Sequence, residues 1–187
     1  MSALRIGITG KARAGKNTFG DALCDALRAA GVNARLYSFA AALKAVCRVE
    51  FGMVTKDARL LQTVGVAYRE GCRCCNLNSD GYVLDLGATF VPTPNVWLDA
   101  ALATVAEDAP EVAIFTDVRF PNEAEVMDRL YRVVRTKRDP SGRDDAHISE
   151  VALDDTPATV IRNEKTVGHL RDLAQQVAAD IFKEVRA

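Results

Sequence analysis

The residues with the clearest chemical meaning form one short segment near the start of the chain. Gly10-Lys11-Ala12-Arg13-Ala14-Gly15-Lys16-Asn17-Thr18 follows the apolar run Ile6-Gly7-Ile8-Thr9 and opens a stretch with helical periodicity. The two glycines permit positive φ and leave room for phosphates against main-chain N–H groups, and a helix N-terminus adds a favourable dipole. Lys16 brings a point charge to the β and γ phosphates. The segment predicts a P-loop that binds ATP; the alternative is a tight strand-to-helix turn.

The metal-binding position of this motif departs from the usual pattern. Ser or Thr normally follows the Lys, and its hydroxyl binds Mg²⁺, whereas Asn17 stands there and Thr18 comes one residue later. An amide oxygen can approach Mg²⁺ or order its waters, but hard cations prefer carboxylate, hydroxyl and water oxygens. Asn17 is therefore expected beside a weakly held metal ion. The predicted ATP-binding residues are Gly10, Lys11, Ala12, Arg13, Ala14, Gly15, Lys16, Asn17 and Thr18.

A second group of polar residues follows the apolar run Val112-Ala113-Ile114-Phe115-Thr116. Asp117 and Arg119 come first, and Pro121, Asn122 and Glu123 follow. Functional groups gather at the carboxyl ends of parallel strands, so Asp117 is expected to hold Mg²⁺ or its waters and Arg119 to bind a phosphate. The alternative is structural: Asp117 and Arg119 as an ion pair, and Pro121 with a following acid as an ordinary helix start.

Short apolar runs alternate with amphipathic stretches along most of the chain, which predicts an α/β fold with a parallel five-stranded sheet and helices on both faces. A helix is expected after the loop, ending at Gly31, and another over the C-terminal segment. The predicted strands are Leu4 to Thr9, Ala34 to Phe39, Val112 to Thr116, Arg132 to Arg135 and Thr159 to Ile161.

The middle of the chain is less regular than its two ends. Residues 40–108 are expected to form a helical acceptor-binding insertion within a single domain of residues 1–187, with helices at Ala40 to Phe51, at Lys56 to Glu70 and from about Asn95. Residues 137–147 are charged and contain Pro140 and Gly142, which is typical of a lid-like loop or of a solvated loop without a role.

Composition excludes several classes of protein. The chain has 187 residues, 49% of them hydrophobic, and its 24 Lys and Arg nearly balance its 25 Asp and Glu. With a net charge of -1, the chain has no overall positive field that would attract a nucleic acid polymer. Its apolar runs are too short to cross a membrane. A cytoplasmic protein is therefore predicted. Five cysteines, three of them Cys72, Cys74 and Cys75, are expected to be reduced thiols rather than disulfides or a metal site.

Several segments together resemble the phage-type deoxynucleoside monophosphate kinases, and the resemblance spans most of the chain. Its most specific part is Thr116-Asp117-Val118-Arg119-Phe120-Pro121-Asn122-Glu123-Ala124-Glu125. The other matching segments are Thr9 to Thr18, Ser38-Phe39-Ala40 with Leu43-Lys44, Leu60-Leu61-Gln62 with Gly65 and Arg69, and His147 with Ser149-Glu150. The resemblance implies a P-loop kinase fold, ATP and Mg²⁺ as cofactors, and a nucleoside monophosphate as the small-molecule acceptor. It also implies the host cytoplasm if the chain is phage-encoded; a homodimer is left open.

The resemblance also assigns roles to individual residues. The residues implied to be catalytic are Lys16, Asp117, Arg119, Arg138 and Arg143. Arg135, Arg138 and Arg143 would contact phosphates or belong to a lid. Trp97 would stack on the acceptor base, although core packing is the alternative. Asn163 would frame adenine, or else be a turn residue only. The residues implied around the acceptor are Lys44, Gln62, Arg69, Trp97, Arg119 and Arg135, and those implied at the metal are Asn17 and Asp117.

Two departures from the family pattern remove carboxylates near the expected site. The family usually has Asp where Asn17 stands, and Asp-Pro where Ala41 and Ala42 follow the Ser-Phe-Ala segment. These changes concern rate and acceptor choice more than fold, because the phosphate loop binds mostly through main chain. The function predicted is transfer of the ATP γ-phosphoryl group to a (deoxy)nucleoside monophosphate. The alternatives are a P-loop kinase of another small metabolite and a catalytically weakened nucleotide-binding module.

Overall fold

A computed structural model describes residues 2–70, 75–76, 83–84, 91–135 and 153–186, with main chain only at 75–76 and 83–84. The strands are β1 (Leu4–Thr9), β2 (Ala34–Tyr37), β3 (Cys75–Asn76), β4 (Val83–Leu84), β5 (Val112–Phe115), β6 (Arg129–Val134) and β7 (Thr159–Arg162). The helices are α1 (Lys16–Ala29), α2 (Ala40–Phe51), α3 (Ala58–Glu70), α4 (Val96–Asp108), α5 (Pro121–Glu125) and α6 (Val167–Val185). None of the helices in these ranges is both long and apolar enough to cross a membrane.

Five strands form one sheet in the order β2-β5-β1-β6-β7, and every pair is parallel. The predicted five-stranded parallel α/β sheet is therefore confirmed. β1 is the central strand of this sheet. From β1 the chain continues to β2, at one edge of the sheet, and from β6 it continues to β7, at the other edge. A sheet whose connections diverge in this way opens a crevice at the carboxyl ends of its central strands.

The apolar strands are buried because helices cover them. Ile6 and Ile8 on β1 are fully buried and belong to one core with Phe19 and Leu23 of α1 and Leu170 of α6. A Cβ atom at Gly7, on the opposite side of β1, would contact the side chains of Met127 and Val118, which flank α5. Both surfaces of the central strand are thus covered, which accounts for its nearly continuous apolar sequence.

The chain divides into two compact units. The first comprises residues 1–38 and 105–187 and contains the five-stranded sheet with α1, α5 and α6. The second comprises residues 39–104 and contains α2, α3, most of α4 and the antiparallel pair β3 and β4. Its core is built from Cys47, Met53, Val64 and Ala67. The predicted insertion, residues 40–108, overlaps the second unit; the single-domain organisation stays a prediction.

Several element bounds differ from those predicted. β2 ends at Tyr37 rather than Phe39, because Phe39 already has right-handed helical φ and ψ at the start of α2. β6 begins at Arg129 rather than Arg132, because Arg129 and Leu130 pair with Ile6 and Gly7 of β1. Pairing between strands extends β6 into a segment whose own sequence carries no strong strand pattern.

Candidate active site

Several predicted site residues among the described part of the first unit, together with Ser38, lie at one edge of its sheet. Gly10 follows β1, Ser38 follows β2, Arg135 follows β6 and Asn163 follows β7. Asp117 lies two residues beyond Phe115, which pairs with Gly7, so the same register brings Asp117 beside the end of β1. Residues far apart in the sequence are therefore neighbours at the carboxyl edge, where α/β proteins bind ligands.

The loop between β1 and α1 has an unusual main-chain conformation. Gly10 and Gly15 have φ of 133° and 106°, and Arg13 has φ of 59°. A Cβ atom at Gly10 would lie 2.3 Å from the carbonyl oxygen of Val133. The two motif glycines thus occupy positions that other residues adopt only under strain, which is what a loop wrapped around phosphates requires.

Lys16 reaches back across this loop. Its Nζ donates to the Gly10 carbonyl at 2.5 Å and to the Lys11 carbonyl at 2.8 Å. These bonds hold the ammonium group against the main chain of the loop it closes. A positive charge fixed there is suited to an anion bound by the same loop.

The N-terminus of α1 is compatible with a negatively charged ligand. Gly15 caps the helix in a left-handed conformation, no side chain caps its first turn, and that turn contains no acidic residue. Its N–H groups and the helix dipole therefore favour an anion at this end. The binding of nucleotide phosphates by residues 15–18 stays a prediction.

Asp117 is held by a residue for which the sequence had predicted no role. Ser38 Oγ donates to Asp117 Oδ2 at 2.6 Å, linking the ends of β2 and β5. A charge-assisted hydrogen bond to a carboxylate restricts the rotation of that group. Ser38 belongs to the Ser-Phe-Ala segment of the family resemblance, which was the one available signal.

Arg119 and Glu123 begin the short helix α5. The Glu123 carboxylate is buried and accepts hydrogen bonds from the main-chain N–H groups of Arg119, at 2.8 Å, and Phe120, at 3.1 Å. Pro121 occupies the first turn, so the predicted helix start is confirmed. This arrangement fixes the main chain of Arg119 beside Asp117, while the role of its guanidinium group stays a prediction.

Thr18 lies on a different side of α1 from Lys16. Two helical steps separate it from Lys16, a rotation of about 200°. Thr18 lines a groove of about 600 Å³ between α1 and α6, together with Asp21, Asp25 and Arg171. The two carboxylates would repel a phosphate in that groove, and the contact of Thr18 with a nucleotide stays a prediction. Asn17 is exposed in the same first turn.

Arg119 and Arg135 of the predicted acceptor residues belong to the first unit, and the others belong to the second. Lys44 lies half-buried on α2, while Gln62 and Arg69 lie on α3. Gln62 and Arg69 are seven positions apart, close to two helical turns, so both side chains share one face of α3. Their contact with an acceptor stays a prediction.

Trp97 is a core residue, which corrects the prediction that it stacks on a base. Only 3% of its surface is exposed, its Nε1 donates to the Gly65 carbonyl at 3.3 Å, and its ring centroid lies 5.3 Å from that of Tyr68. The indole ring is buried and its N–H group is hydrogen-bonded within the second unit. The alternative of core packing is therefore correct.

The remaining predictions have different outcomes. Arg135 is exposed just after β6, next to the carboxyl edge. Arg138 and Arg143, with the whole of the lid-like loop of residues 137–147, lie outside the described residues, as do Cys72 and Cys74. Burial raises the pKa of the Cys24 and Cys47 thiols, which are free, and keeps them in the unreactive protonated form.

The residues at this edge suit a Mg²⁺ ion that phosphates would also bind. Within the described ranges, no group of three or more His, Cys, Asp or Glu side chains converges as a metal site. Mg²⁺ in phosphate-binding enzymes is commonly held by one or two carboxylates together with substrate phosphates and waters. Asp117, oriented by Ser38, and the Asn17 amide are residues that suit this role.

Comparison with known proteins adds little to these observations. No family model and no curated protein matches the chain. Among solved structures, the chain resembles a crystal structure of a sugar kinase from Janibacter sp., with 12% identity, coverage of 98% of each chain and a TM-score of 0.46. A likeness this distant assigns no activity, so function must be inferred from the loop, its lysine and the carboxylate beside them.

Proposed function

We propose that this protein is an ATP-dependent kinase that transfers the γ-phosphoryl group to a (deoxy)nucleoside monophosphate. The observation that carries the proposal is the loop of residues 10–16: two glycines at positive φ enclose a main-chain cradle, and the Lys16 ammonium lies across it. The N-terminus of α1 and Asp117 adjoin the cradle at the same sheet edge. The nucleotide acceptor is suggested by the resemblance in residues 116–125.

The proposed reaction is one displacement at phosphorus. An oxygen of the acceptor phosphate attacks the γ-phosphorus of ATP, and the bond from that phosphorus to the β,γ-bridging oxygen breaks, so that ADP leaves. Negative charge shifts toward the leaving oxygen, and Lys16 with the N–H groups of α1 would stabilise it. The protein contributes position and charge rather than a covalent intermediate.

The other residues would orient the reactants. Asp117 and Asn17 would hold Mg²⁺, which neutralises phosphate charge when it is bound. Arg119, Arg135, Arg138 and Arg143 are candidates for guanidinium contacts with phosphates. Lys44, Gln62 and Arg69 of the second unit are candidates for binding the acceptor.

A panel of acceptors tests the proposed function. ADP formation from Mg²⁺ and ATP is measured with each deoxynucleoside and ribonucleoside monophosphate and with a set of sugars and sugar phosphates. A Lys16→Met preparation serves as a control for contaminating kinases. Turnover of a nucleoside monophosphate supports the proposal, and turnover of another metabolite alone would overturn the acceptor class. Tight ATP binding without turnover of any acceptor would instead indicate a binding module.

Ser38→Ala is expected to lower kcat about tenfold and to raise the Mg²⁺ concentration needed for half-maximal rate. The reason is that the variant removes a hydrogen bond to a carboxylate, an interaction of about 1.5 to 3 kcal/mol. Steady-state rates over a Mg²⁺ titration measure both effects, and Ser38→Thr, which retains the hydroxyl, is the control. An unchanged Mg²⁺ dependence in the alanine variant would exclude Ser38 as the residue that orients Asp117.

Asn17→Asp is expected to raise kcat or to lower the Mg²⁺ requirement. A carboxylate binds Mg²⁺ better than an amide does, and a negative charge in the first turn of α1 is favoured by the helix dipole. Asn17→Ala should change the Mg²⁺ requirement in the opposite direction. If the aspartate variant is slower at every Mg²⁺ concentration, then the site is adapted to a neutral residue and the expectation is wrong.

A further inference from the structure

Asn163 joins three parts of the carboxyl edge. It is the first residue after β7, and its main-chain N–H donates to the Val134 carbonyl at the end of β6, at 2.8 Å. Its side-chain Nδ2 donates to the Ala14 carbonyl of the phosphate loop, also at 2.8 Å. A residue 149 positions away in the sequence thus holds the loop to the strands beside it.

The contact is shaped by the glycine that follows Ala14. A Cβ atom at Gly15 would lie 2.7 Å from Asn163 Nδ2 and 3.0 Å from Leu170 Cδ2. Leu170 is 1% exposed in the core between α1 and α6, so it has little freedom to move away. The absence of a side chain at Gly15 is therefore what allows the Asn163 amide to reach the loop.

This hydrogen bond also determines which way one peptide group faces. The described peptide bonds include no cis bond, so the carbonyl of Ala14 and the N–H of Gly15 point in opposite directions. When Asn163 binds the carbonyl on one side, the Gly15 N–H is directed to the other. Gly15 caps α1, where the N–H groups that favour an anion begin.

We propose that Asn163 is a positioning residue that fixes the Ala14–Gly15 peptide so that the loop binds the phosphates of the nucleotide. This inference rests on the proposed phosphate-binding function of the loop. It differs from the role implied by resemblance, the framing of adenine, because it acts on the phosphate end of the ligand. The Asn163 side chain contacts the protein rather than the nucleotide.

Binding of inorganic tripolyphosphate and of ATP, measured by calorimetry with the full chain, separates these roles. Asn163→Ala is expected to weaken both ligands by about tenfold, since a lost positioning hydrogen bond of about 1.4 kcal/mol corresponds to that factor. The KM for ATP should rise by the same factor, with the KM for the acceptor unchanged. Asn163→Asp, which keeps the shape but removes the donor, should weaken both ligands at least as much.

Asn33→Ala is the matched control, because Asn33 is an exposed turn residue before β2, at the opposite end of the strands. It should leave both affinities unchanged. If Asn163→Ala weakens ATP but not tripolyphosphate, Asn163 acts on adenine and the inference is overturned; equal affinities in variant and wild type also overturn it. If Asn163→Ala does not fold, the aspartate variant decides. A wild-type protein that binds neither ligand would instead refute the proposed function.

Discussion

Lys16→Met is expected to lower kcat/KM by about 10²-fold or more while leaving the protein folded. The methionine keeps the length and apolar stem of the side chain but removes the ammonium, which lies within 2.5 Å and 2.8 Å of the Gly10 and Lys11 carbonyls. Charge placed where negative charge develops in a transition state is worth several kcal/mol. Steady-state kinetics with the best acceptor of the panel, together with a thermal melt, measures the effect.

Lys183→Met is the control for the loss of one lysine. Its side chain is 77% exposed near the end of α6. Among the salt bridges of the described residues, it forms only the one with Asp180, a neighbouring exposed aspartate, at 3.3 Å. Its kinetics should match those of the wild type. Near-normal turnover in Lys16→Met would refute the assignment of residues 10–18 as a catalytic P-loop.

Gly10→Ala is expected to lower the free energy of unfolding by about 3 kcal/mol, because two costs add. The first is the conformation itself, since Gly10 has φ of 133°. The second is a collision of the new Cβ with the Val133 carbonyl oxygen, 2.3 Å away, in main chain that is paired in β6. Urea denaturation followed by circular dichroism measures the change.

Gly31→Ala separates the two costs. Gly31 also has positive φ, 81°, but nothing lies within 4 Å of a Cβ built there. Gly31→Ala should therefore lower the free energy of unfolding by the conformational cost alone, about 1 kcal/mol. Equal losses in the two variants would mean that the β1 loop moves away from Val133 without cost, and that the close approach does not constrain it.

The sequence by itself determined the features that depend on neighbouring residues. The loop of residues 10–18 was predicted because its glycines and lysine are close together and flanked by a strand and a helix. The five strands of the main sheet were predicted from short apolar runs, since a buried parallel strand needs apolar residues on both of its faces. The start of α5 was predicted from Pro121 and the acid after it, since helix caps are local interactions.

Only the tertiary structure decided which distant residues meet, because strand order and register bring them together. Ser38 and Asp117 are 79 residues apart, and Ala14 and Asn163 are 149 apart. No local pattern encodes either hydrogen bond. Burial likewise decided Trp97. A single Trp at this helical spacing is compatible with base stacking but is more often a core residue, and its packing against Tyr68 and Gly65 places it in the core. Thr18 was predicted from the motif, but its place in a groove lined by α1 and α6 depends on how those two helices pack, which the motif does not encode.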